Sequence, residues 1–261
     1  MLRTEAIIAE LALDRQKQAG GAHFVHTRID EKRVEKVAPA GLVSPIRCCY
    51  HEPVDIKDVL TKIGATEAPL ARQMLMTGLI TRILEDWGKP APVLIGGLAL
   101  SYYTREVYFT ADIDLAYADR DALDAALREL GFVKKGRYWV HEGLDMALEA
   151  PASELAGEDA PLETVELEGG LRCVVIGLED LIIDRLNACK HWKSEVDCEM
   201  TELLIVRYRQ ELDWIYLEKR AALPVNDTLA ELRALKKIEK AERDNFIPVG
   251  FRKRRVQFPV A

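Results

Sequence analysis

The sequence predicts an α+β fold, in which a small mixed β-sheet carries helices on one side and is followed by a C-terminal helical lobe. The middle of the chain alternates between short apolar strand patterns and amphipathic helical patterns. The C-terminal third has helical patterns throughout. Strands and helices do not alternate in a long βαβ series, which favours a mixed sheet over a doubly wound parallel one.

Composition places the chain among ordinary globular proteins. Its 261 residues are 49% hydrophobic and 30% charged, and the formal net charge of -7 gives no sign of a nucleic-acid coat protein or a membrane-surface binder. No apolar run reaches the roughly 18 residues of a transmembrane helix, and acidic residues come too early for a signal peptide. The five cysteines form no CxxC pair, so we expect them to be reduced and the protein to be cytoplasmic.

The chain divides into three predicted parts. Residues 1–53 form an N-terminal arm of uncertain structure, in which only residues 5–18 have a helical pattern. Residues 54–177 form the core with the sheet. Residues 178–261 form the helical region and end in a basic tail that contains FRKRR.

The core elements follow in order. TEAPLARQMLMTGLITRILEDWG is a predicted helix with Thr66 as its N-cap and Gly88 near its end. PVLIGG is a buried strand, LALSYYT a short helix, and VYFTADIDLAY the second strand. DRDALDAALRELGF is an amphipathic helix that Gly131 ends, and RYWVHEGLDMALEAP is predicted as one further strand. LETVEL and LRCVVIG complete the sheet.

Three helical stretches follow the sheet. They are LEDLIIDRLNACKHW, EVDCEMTELLIVRYRQELDWIYLEKRAA and DTLAELRALKKIEKAERDN. In the first of them, Lys190 is the candidate phosphate ligand, while the alternative is a solvated helix face. The aromatic side chains of LDWIYLEK are expected to pack between helices.

Two aspartates interrupt the second strand, although aspartate is depleted in strands. Asp112 and Asp114 are two residues apart and therefore point to the same face. If the strand RYWVHEGLDMALEAP is a neighbour, Asp145 or Glu149 can join them. These two acids are about 13 Å apart along a strand, so only one can complete a compact centre. Three such carboxylates bind Mg²⁺ or Mn²⁺ together with substrate phosphates.

Adjacent glycines mark the end of the first strand. Gly96 and Gly97 allow the backbone to approach a ligand closely. The N–H groups at the start of the following helix attract anions. Ser101, one turn further along, carries a hydroxyl that could reach a phosphate.

The segment IGGLALSYYTREVYFTADIDLAY resembles the signature of nucleotidyltransferases of the DNA polymerase β superfamily. That signature is a hydrophobic residue before Gly-Gly or Gly-Ser, a short helix, and two acids separated by one hydrophobic residue. Through GGLAL, FTADIDL and LEDLIIDRLNACKHW, the chain is most similar to bacterial nucleotidyltransferase-like proteins related to AbiE-type abortive-infection toxins. The resemblance covers roughly residues 75–217.

The resemblance implies roles for particular residues. Gly96 and Gly97 would lie against the triphosphate of an NTP, and Asp112 and Asp114 would bind the metal. For the third acid, the family's strand end favours Glu149 over Asp145.

The chain departs from the family pattern before the aspartate pair. Tyr108 stands where relatives often carry an arginine, and Arg105 is the candidate substitute for nucleotide binding.

The function that the resemblance implies is Mg²⁺- or Mn²⁺-dependent transfer of a nucleoside monophosphate from an NTP to an acceptor hydroxyl. The acceptor is open between tRNA, a protein and a small molecule such as an aminoglycoside, and an antitoxin is a suggested partner. The basic tail favours a polyanionic acceptor. Two alternatives stay open: a catalytically silent nucleotide-binding relative and a metal-dependent phosphoesterase.

Overall fold

The computed structural model describes residues 54–155 and 160–237. These residues form an α+β fold around a seven-stranded mixed sheet, so the predicted fold class is confirmed. The predicted arm over residues 1–53, with its helix, and the basic tail lie outside the described residues, and the division into three parts stays a prediction.

The helices and strands of the described residues are numbered in chain order. The helices are α1 (Ile56–Ala65), α2 (Pro69–Asp86), α3 (Gly96–Thr104), α4 (Arg120–Glu129), α5 (Leu178–Trp192), α6 (Glu195–Tyr208), α7 (Trp214–Ala221) and α8 (Leu229–Lys236). The strands are β1 (Val93–Ile95), β2 (Asp112–Ala116), β3 (Val133–Lys135), β4 (Tyr138–His141), β5 (Met146–Ala152), β6 (Leu162–Glu166) and β7 (Arg172–Ile176).

The strand order in the sheet is β3-β4-β5-β2-β1-β7-β6. Strand β2 pairs antiparallel with β1 and parallel with β5, and β1 pairs parallel with β7. The outer pairs β3–β4, β4–β5 and β6–β7 are antiparallel. Strand β2 is therefore central, and all five of its residues are buried.

The core lies between the sheet and the long helix α2. Side chains of α2 are buried without interruption over residues 73–84. The helix is therefore covered on all sides over this stretch, whereas a surface helix buries only one face. On β2, Ile113 and Leu115 are fully buried and supply the sheet's part of the core. Their alternation with Asp112 and Asp114 sends the two carboxylates to the opposite face.

The stretch RYWVHEGLDMALEAP is two strands, so its prediction as one strand was wrong. Strands β4 and β5 are antiparallel and are joined by a 3₁₀ turn over Glu142–Leu144. His141 caps this turn, because its Nδ1 accepts a hydrogen bond of 3.0 Å from the backbone N–H of Leu144. Asp145 then reverses the chain with a positive φ of 51°, a conformation that aspartate tolerates better than most residues.

Other element boundaries also differ from the prediction. Thr66 is not the N-cap of α2; it ends α1, and α2 begins with Pro69 in its first turn. Strand β2 begins only at Asp112, because Arg105 and Glu106 both have positive φ and turn the chain after α3. The predicted long helix after α5 is divided in two, since Asp213 caps a new helix, α7.

The cysteines are not all reduced as expected. Cys189 and Cys198 form a disulfide, with their Cα atoms 4.8 Å apart. They lie in the last turn of α5 and the first turn of α6, and the tight connection between these helices brings them together. Among the described residues, Cys173 is a free, buried thiol whose pKa burial raises to about 12. None of the described helices is long and apolar enough to cross a membrane.

Candidate metal centre

Strand register brings three acids to one face of the sheet. Asp114 lies opposite Glu149 in the parallel pair of β2 and β5. Glu149 in turn lies opposite Tyr138 in the antiparallel pair of β5 and β4. Asp112 is two residues before Asp114 and so shares its face. The cluster depends on strands that are distant in sequence but adjacent in the sheet.

The three carboxylates of this acid cluster, Asp112, Asp114 and Glu149, are close together and buried. One oxygen of each lies within 4.8 Å of the others, and the three residues are only 4%, 7% and 6% exposed. Like charges held this close and away from water repel each other, and a cation between them relieves that repulsion.

The spacing of the acid cluster fits a small divalent cation. Two oxygens on opposite sides of one Mg²⁺ ion are about 4.2 Å apart, because each metal–oxygen bond is about 2.1 Å. The observed limit of 4.8 Å therefore needs only small side-chain rotations. The all-oxygen donor set favours Mg²⁺ or Mn²⁺ over metals that prefer nitrogen or sulfur.

Hydrogen bonds from neighbouring elements hold the two aspartates. Thr110 Oγ1 donates to Asp112 Oδ1 at 2.7 Å. Gln73 Nε2, from the buried part of α2, donates to the backbone carbonyl of Thr110 at 3.3 Å. The backbone N–H of Gly97 points to Asp114 Oδ2 at a long 3.5 Å. Helices α2 and α3 therefore both help to orient the pair.

The two predicted glycines lie directly against the acid cluster. Gly96 has a φ of +63°, and a Cβ there would lie 2.8 Å from Asp114 Cγ. A Cβ on Gly97 would lie 2.8 Å from Thr110 Oγ1. Helix α3 also begins without a side-chain cap, because Ile95 precedes it. The start of α3 thus presents backbone N–H groups beside the carboxylates, with no side chain in between.

Of the two candidates for the third acid, the structure brings Glu149 to the aspartate pair. Asp145, also predicted as a metal ligand, is exposed at the end of the 3₁₀ turn and does not belong to the cluster. The turn between β4 and β5 explains the difference, because Asp145 precedes the paired part of β5.

The other predicted nucleotide ligands lie elsewhere. Ser101 is 2% exposed inside α3, which leaves its hydroxyl no access to solvent. Arg105 is exposed at the C-terminal end of α3, opposite to the end that carries the glycines.

Lys190 connects α5 to the start of α8 within the helical lobe. Its Nζ lies 3.2 Å from Asp227 Oδ2 and 3.3 Å from Glu231. Burial lowers the pKa of Lys190, but the hydrogen bonds to Asp227 and Glu231 outweigh it and raise the pKa above its usual value. This ammonium group is therefore engaged within the lobe.

The aromatic residues of α7 also make contacts within the helical lobe. Lys236 Nζ lies 4.7 Å from the ring centroid of Trp214, and Tyr216 Oη donates to Asp180 Oδ2 at 2.9 Å. These contacts agree with the expected packing role.

Sequence reasoning missed three residues at the acid cluster: Gln73, Thr110 and Arg137. Thr110 is two residues before Asp112, so the alternation of an extended chain places both on one face, and the sequence could have indicated Thr110 on that ground. Arg137 follows Gly136 in a hairpin turn, and its Nε lies 3.6 Å from Glu149 Oε2. No local pattern could reveal that contact, since it depends on β4 pairing with β5.

No protein-family profile matches the chain, and no curated protein matches it at a significant level. Among solved structures, the solution structure of the antibiotic-resistance factor ANT(2'')-Ia is similar, with a TM-score of 0.36 and 17% sequence identity. The alignment covers 67% of this chain and 92% of that chain. A similarity this distant carries no activity over to this chain, and the relationship to AbiE-type proteins stays a prediction.

Proposed function

We propose that this protein is a divalent-metal-dependent nucleotidyltransferase, which moves a nucleoside monophosphate from an NTP to an acceptor hydroxyl. The observation that supports the proposal best is the position of the buried acid cluster beside the uncapped, glycine-lined start of α3. The cluster provides a site for a cation, and the helix start provides donors for an anion. A metal–nucleoside triphosphate complex requires both.

The metal would be held by Asp112, Asp114 and Glu149. When bound, it would neutralise these carboxylates and the phosphate oxygens of the substrate. In the reaction, the acceptor oxygen forms a bond to the α-phosphorus, the bond to the bridging oxygen of the β-phosphate breaks, and pyrophosphate leaves. A carboxylate of the cluster accepts the acceptor's proton.

The chain's other residues position these groups. Thr110 fixes one aspartate through its hydroxyl, and Gln73 fixes Thr110 in turn. Gly96 and Gly97 let Asp114 and Thr110 pack directly against the start of α3, so the carboxylates lie beside the backbone N–H groups that would bind a phosphate. Catalysis of this kind depends on position and charge neutralisation, without a covalent enzyme intermediate.

The first prediction tests the acid cluster. Asp112→Asn and Asp114→Asn should each abolish nucleotidyl transfer while the fold persists, because an amide neither neutralises the metal nor accepts the proton. In the parent, Mg²⁺ with NTP at about 100 times its Kd should raise the free energy of unfolding by about 2.7 kcal/mol. Both variants should lose most of that stabilisation, measured by thermal melts with and without ligand.

The matched control is Asp145→Asn, which makes the same change at an exposed acid outside the cluster. It should keep both activity and ligand stabilisation. If Asp112→Asn and Asp114→Asn keep the full ligand-induced stabilisation, the proposed site is wrong.

The activity itself is tested with each α-labelled NTP in the presence of total RNA, lysate protein or an aminoglycoside. Label in one acceptor class together with released pyrophosphate supports nucleotidyl transfer. NTP binding without pyrophosphate release would identify a silent nucleotide-binding protein. Phosphoester hydrolysis with water as the sole acceptor would identify a phosphoesterase.

A further inference from the structure

Arg137 lies at the tip of the hairpin between β3 and β4, beside the acid cluster. Lys135 pairs with Tyr138 across the hairpin, so the turn consists of Gly136 and Arg137 alone. Gly136 has a φ of +66°, which a two-residue hairpin turn requires. The tight turn places the arginine next to the strand that pairs with β5.

The side chain of Arg137 follows the sheet face that carries the acids. Its guanidinium carbon lies 4.9 Å from the ring centroid of Tyr138, and its Nη2 donates to Tyr138 Oη at 2.6 Å. Tyr138 lies opposite Glu149 in the β4–β5 pair. Tyr138 therefore holds the guanidinium on the same face of the sheet as Glu149 and Asp114.

The contact between Arg137 and the acid cluster is an ion pair with Glu149. Arg137 Nε lies 3.6 Å from Glu149 Oε2, which is an ion pair but too long for a good hydrogen bond. The arginine side chain is 52% exposed, whereas that of Glu149 is 8% exposed. The guanidinium of Arg137 is thus held mainly by Tyr138, at the rim of the site. Part of it is accessible to solvent and can donate hydrogen bonds to a ligand.

From this arrangement we propose that Arg137 is a phosphate-binding residue of the site, and that without a divalent cation it partly neutralises Glu149 in the cation's place. This inference rests on the proposed function. Once Glu149 ligates a metal, its attraction for the guanidinium weakens. The exposed donors can then take phosphate oxygens of the triphosphate, for which the planar guanidinium fork is well suited.

The two halves of this inference predict effects of opposite sign for Arg137→Gln. Without nucleotide, Mn²⁺ should bind twofold to tenfold more tightly, because a competing positive charge beside Glu149 is gone. With Mn²⁺ saturating, nucleotide should bind at least tenfold more weakly, because a phosphate ligand is gone. A merely structural arginine would not produce opposite changes.

One further variant separates the charge of Arg137 from the shape of its guanidinium, and another is a control. Arg137→Lys keeps the charge and loses the fork, so it should bind Mn²⁺ like the parent and nucleotide severalfold more weakly. The control is Arg128→Gln on α4, which removes an exposed arginine that pairs with Asp124. It should change neither affinity.

The experiment is calorimetric titration of the full chain with Mn²⁺ alone, and then with ATP, GTP, CTP and UTP analogues that cannot release pyrophosphate. Tighter Mn²⁺ binding together with weaker nucleotide binding in Arg137→Gln supports the inference. Unchanged nucleotide binding in that variant overturns it while the proposed function stands. If the parent binds Mn²⁺ but none of the four analogues, the proposed function fails, and the phosphate role of Arg137 fails with it. A loss of both affinities with a lowered melting temperature would mean that the arginine is structural.

Discussion

At the scale of single residues, the acid cluster depends on contacts that leave no room for larger neighbours. Gly97 is in ordinary helical geometry, so its requirement for glycine comes from space alone. A Cβ there would lie 2.8 Å from Thr110 Oγ1 and 2.9 Å from Thr110 Cβ. Thr110 would have to move, and its hydrogen bond to Asp112 would move with it. Gly96 is more constrained still, because its φ is also positive.

Gly97→Ala should therefore lower the free energy of unfolding by about 1–3 kcal/mol, as overpacking of a tight contact does. It should also weaken Mn²⁺ binding, since Asp112 loses its orientation. Urea denaturation and calorimetric titration measure the two effects.

Gly64→Ala in α1 is the control for this substitution. The added Cβ would meet only Leu144 Cδ2, at 3.4 Å, and alanine favours the helix by about 0.5–1 kcal/mol. A Gly97→Ala variant with parental stability and parental Mn²⁺ affinity would show that Thr110 does not position Asp112.

Residue-scale chemistry was partly predictable from the sequence. The alternation of β2 alone places Asp112 and Asp114 on one face, because successive side chains of a strand point to opposite sides. The same rule could not separate Asp145 from Glu149, because it assumed one continuous strand. The turn capped by His141 breaks that strand, and only Glu149 lies in register with Asp114.

At the scale of secondary structure, the connection between α5 and α6 carries a covalent link that spacing did not predict. Lys193 ends α5 with a positive φ of 57°, and Ser194 caps α6 by accepting the N–H of Asp197. This tight corner brings Cys189 and Cys198 to neighbouring helical turns. A pattern search for CxxC pairs misses such a corner, because the nine-residue separation spans two helix ends.

Reduction of this disulfide should lower the free energy of unfolding by about 2.5 kcal/mol, the chain-entropy value for a loop of roughly ten residues. The fold should persist, since α5 and α6 are also joined by the ion pair of the half-buried Arg185, through Nη1, with the buried Asp197 Oδ1 at 2.8 Å. Thermal melts with and without dithiothreitol measure the effect.

A Cys198→Ser variant provides the control for reduction. Its melting temperature should already be low and should not respond further to the reductant. Equal sensitivity of parent and variant would mean that the disulfide contributes nothing to stability, and that the response comes from another cysteine.

At the scale of the whole molecule, sheet order is the feature that the sequence could not provide. Strand β2 pairs with β5, although α4, β3 and β4 lie between them in sequence. Local patterns identify strands, but long-range pairing depends on which apolar faces cover each other in the complete core. The acid cluster and the ion pair of Arg137 with Glu149 both follow from that order. The sequence could name the three acids, but only the folded chain shows that they lie together.

Three buried or half-buried phenols, which join α3 to the sheet and α7 to α5, give the fold a predictable response to alkali. Tyr103 Oη donates to the carbonyl of Ile176 at 2.9 Å, and Tyr102 Oη donates to Glu163 Oε1 at 2.7 Å. Burial, followed by the hydrogen bond to Glu163, raises the pKa of Tyr102 above its usual value. Burial likewise raises the pKa of Tyr103.

Tyr216 belongs to the same set. Burial and then its hydrogen bond to Asp180 raise the pKa of Tyr216 to about 12. In the unfolded chain, tyrosine loses its proton near pH 10. Between these two values the unfolded state releases protons that the folded state keeps, so rising pH favours unfolding. The stabilisation is therefore complete below about pH 10 and is lost as pH rises toward 12.

The free energy of unfolding should accordingly fall steadily from pH 10 upward, with each such phenol contributing at most about 1.4 kcal/mol per pH unit. Tyr216→Phe should be less stable than the parent at pH 8, because Asp180 loses a hydrogen-bond donor. Above pH 10 its stability should fall less steeply, because one titrating phenol is missing. Urea denaturation at pH 8, 9, 10 and 11 compares the two slopes. Equal slopes would show that Tyr216 titrates alike in both states, and the alkaline loss would then have to come from other groups.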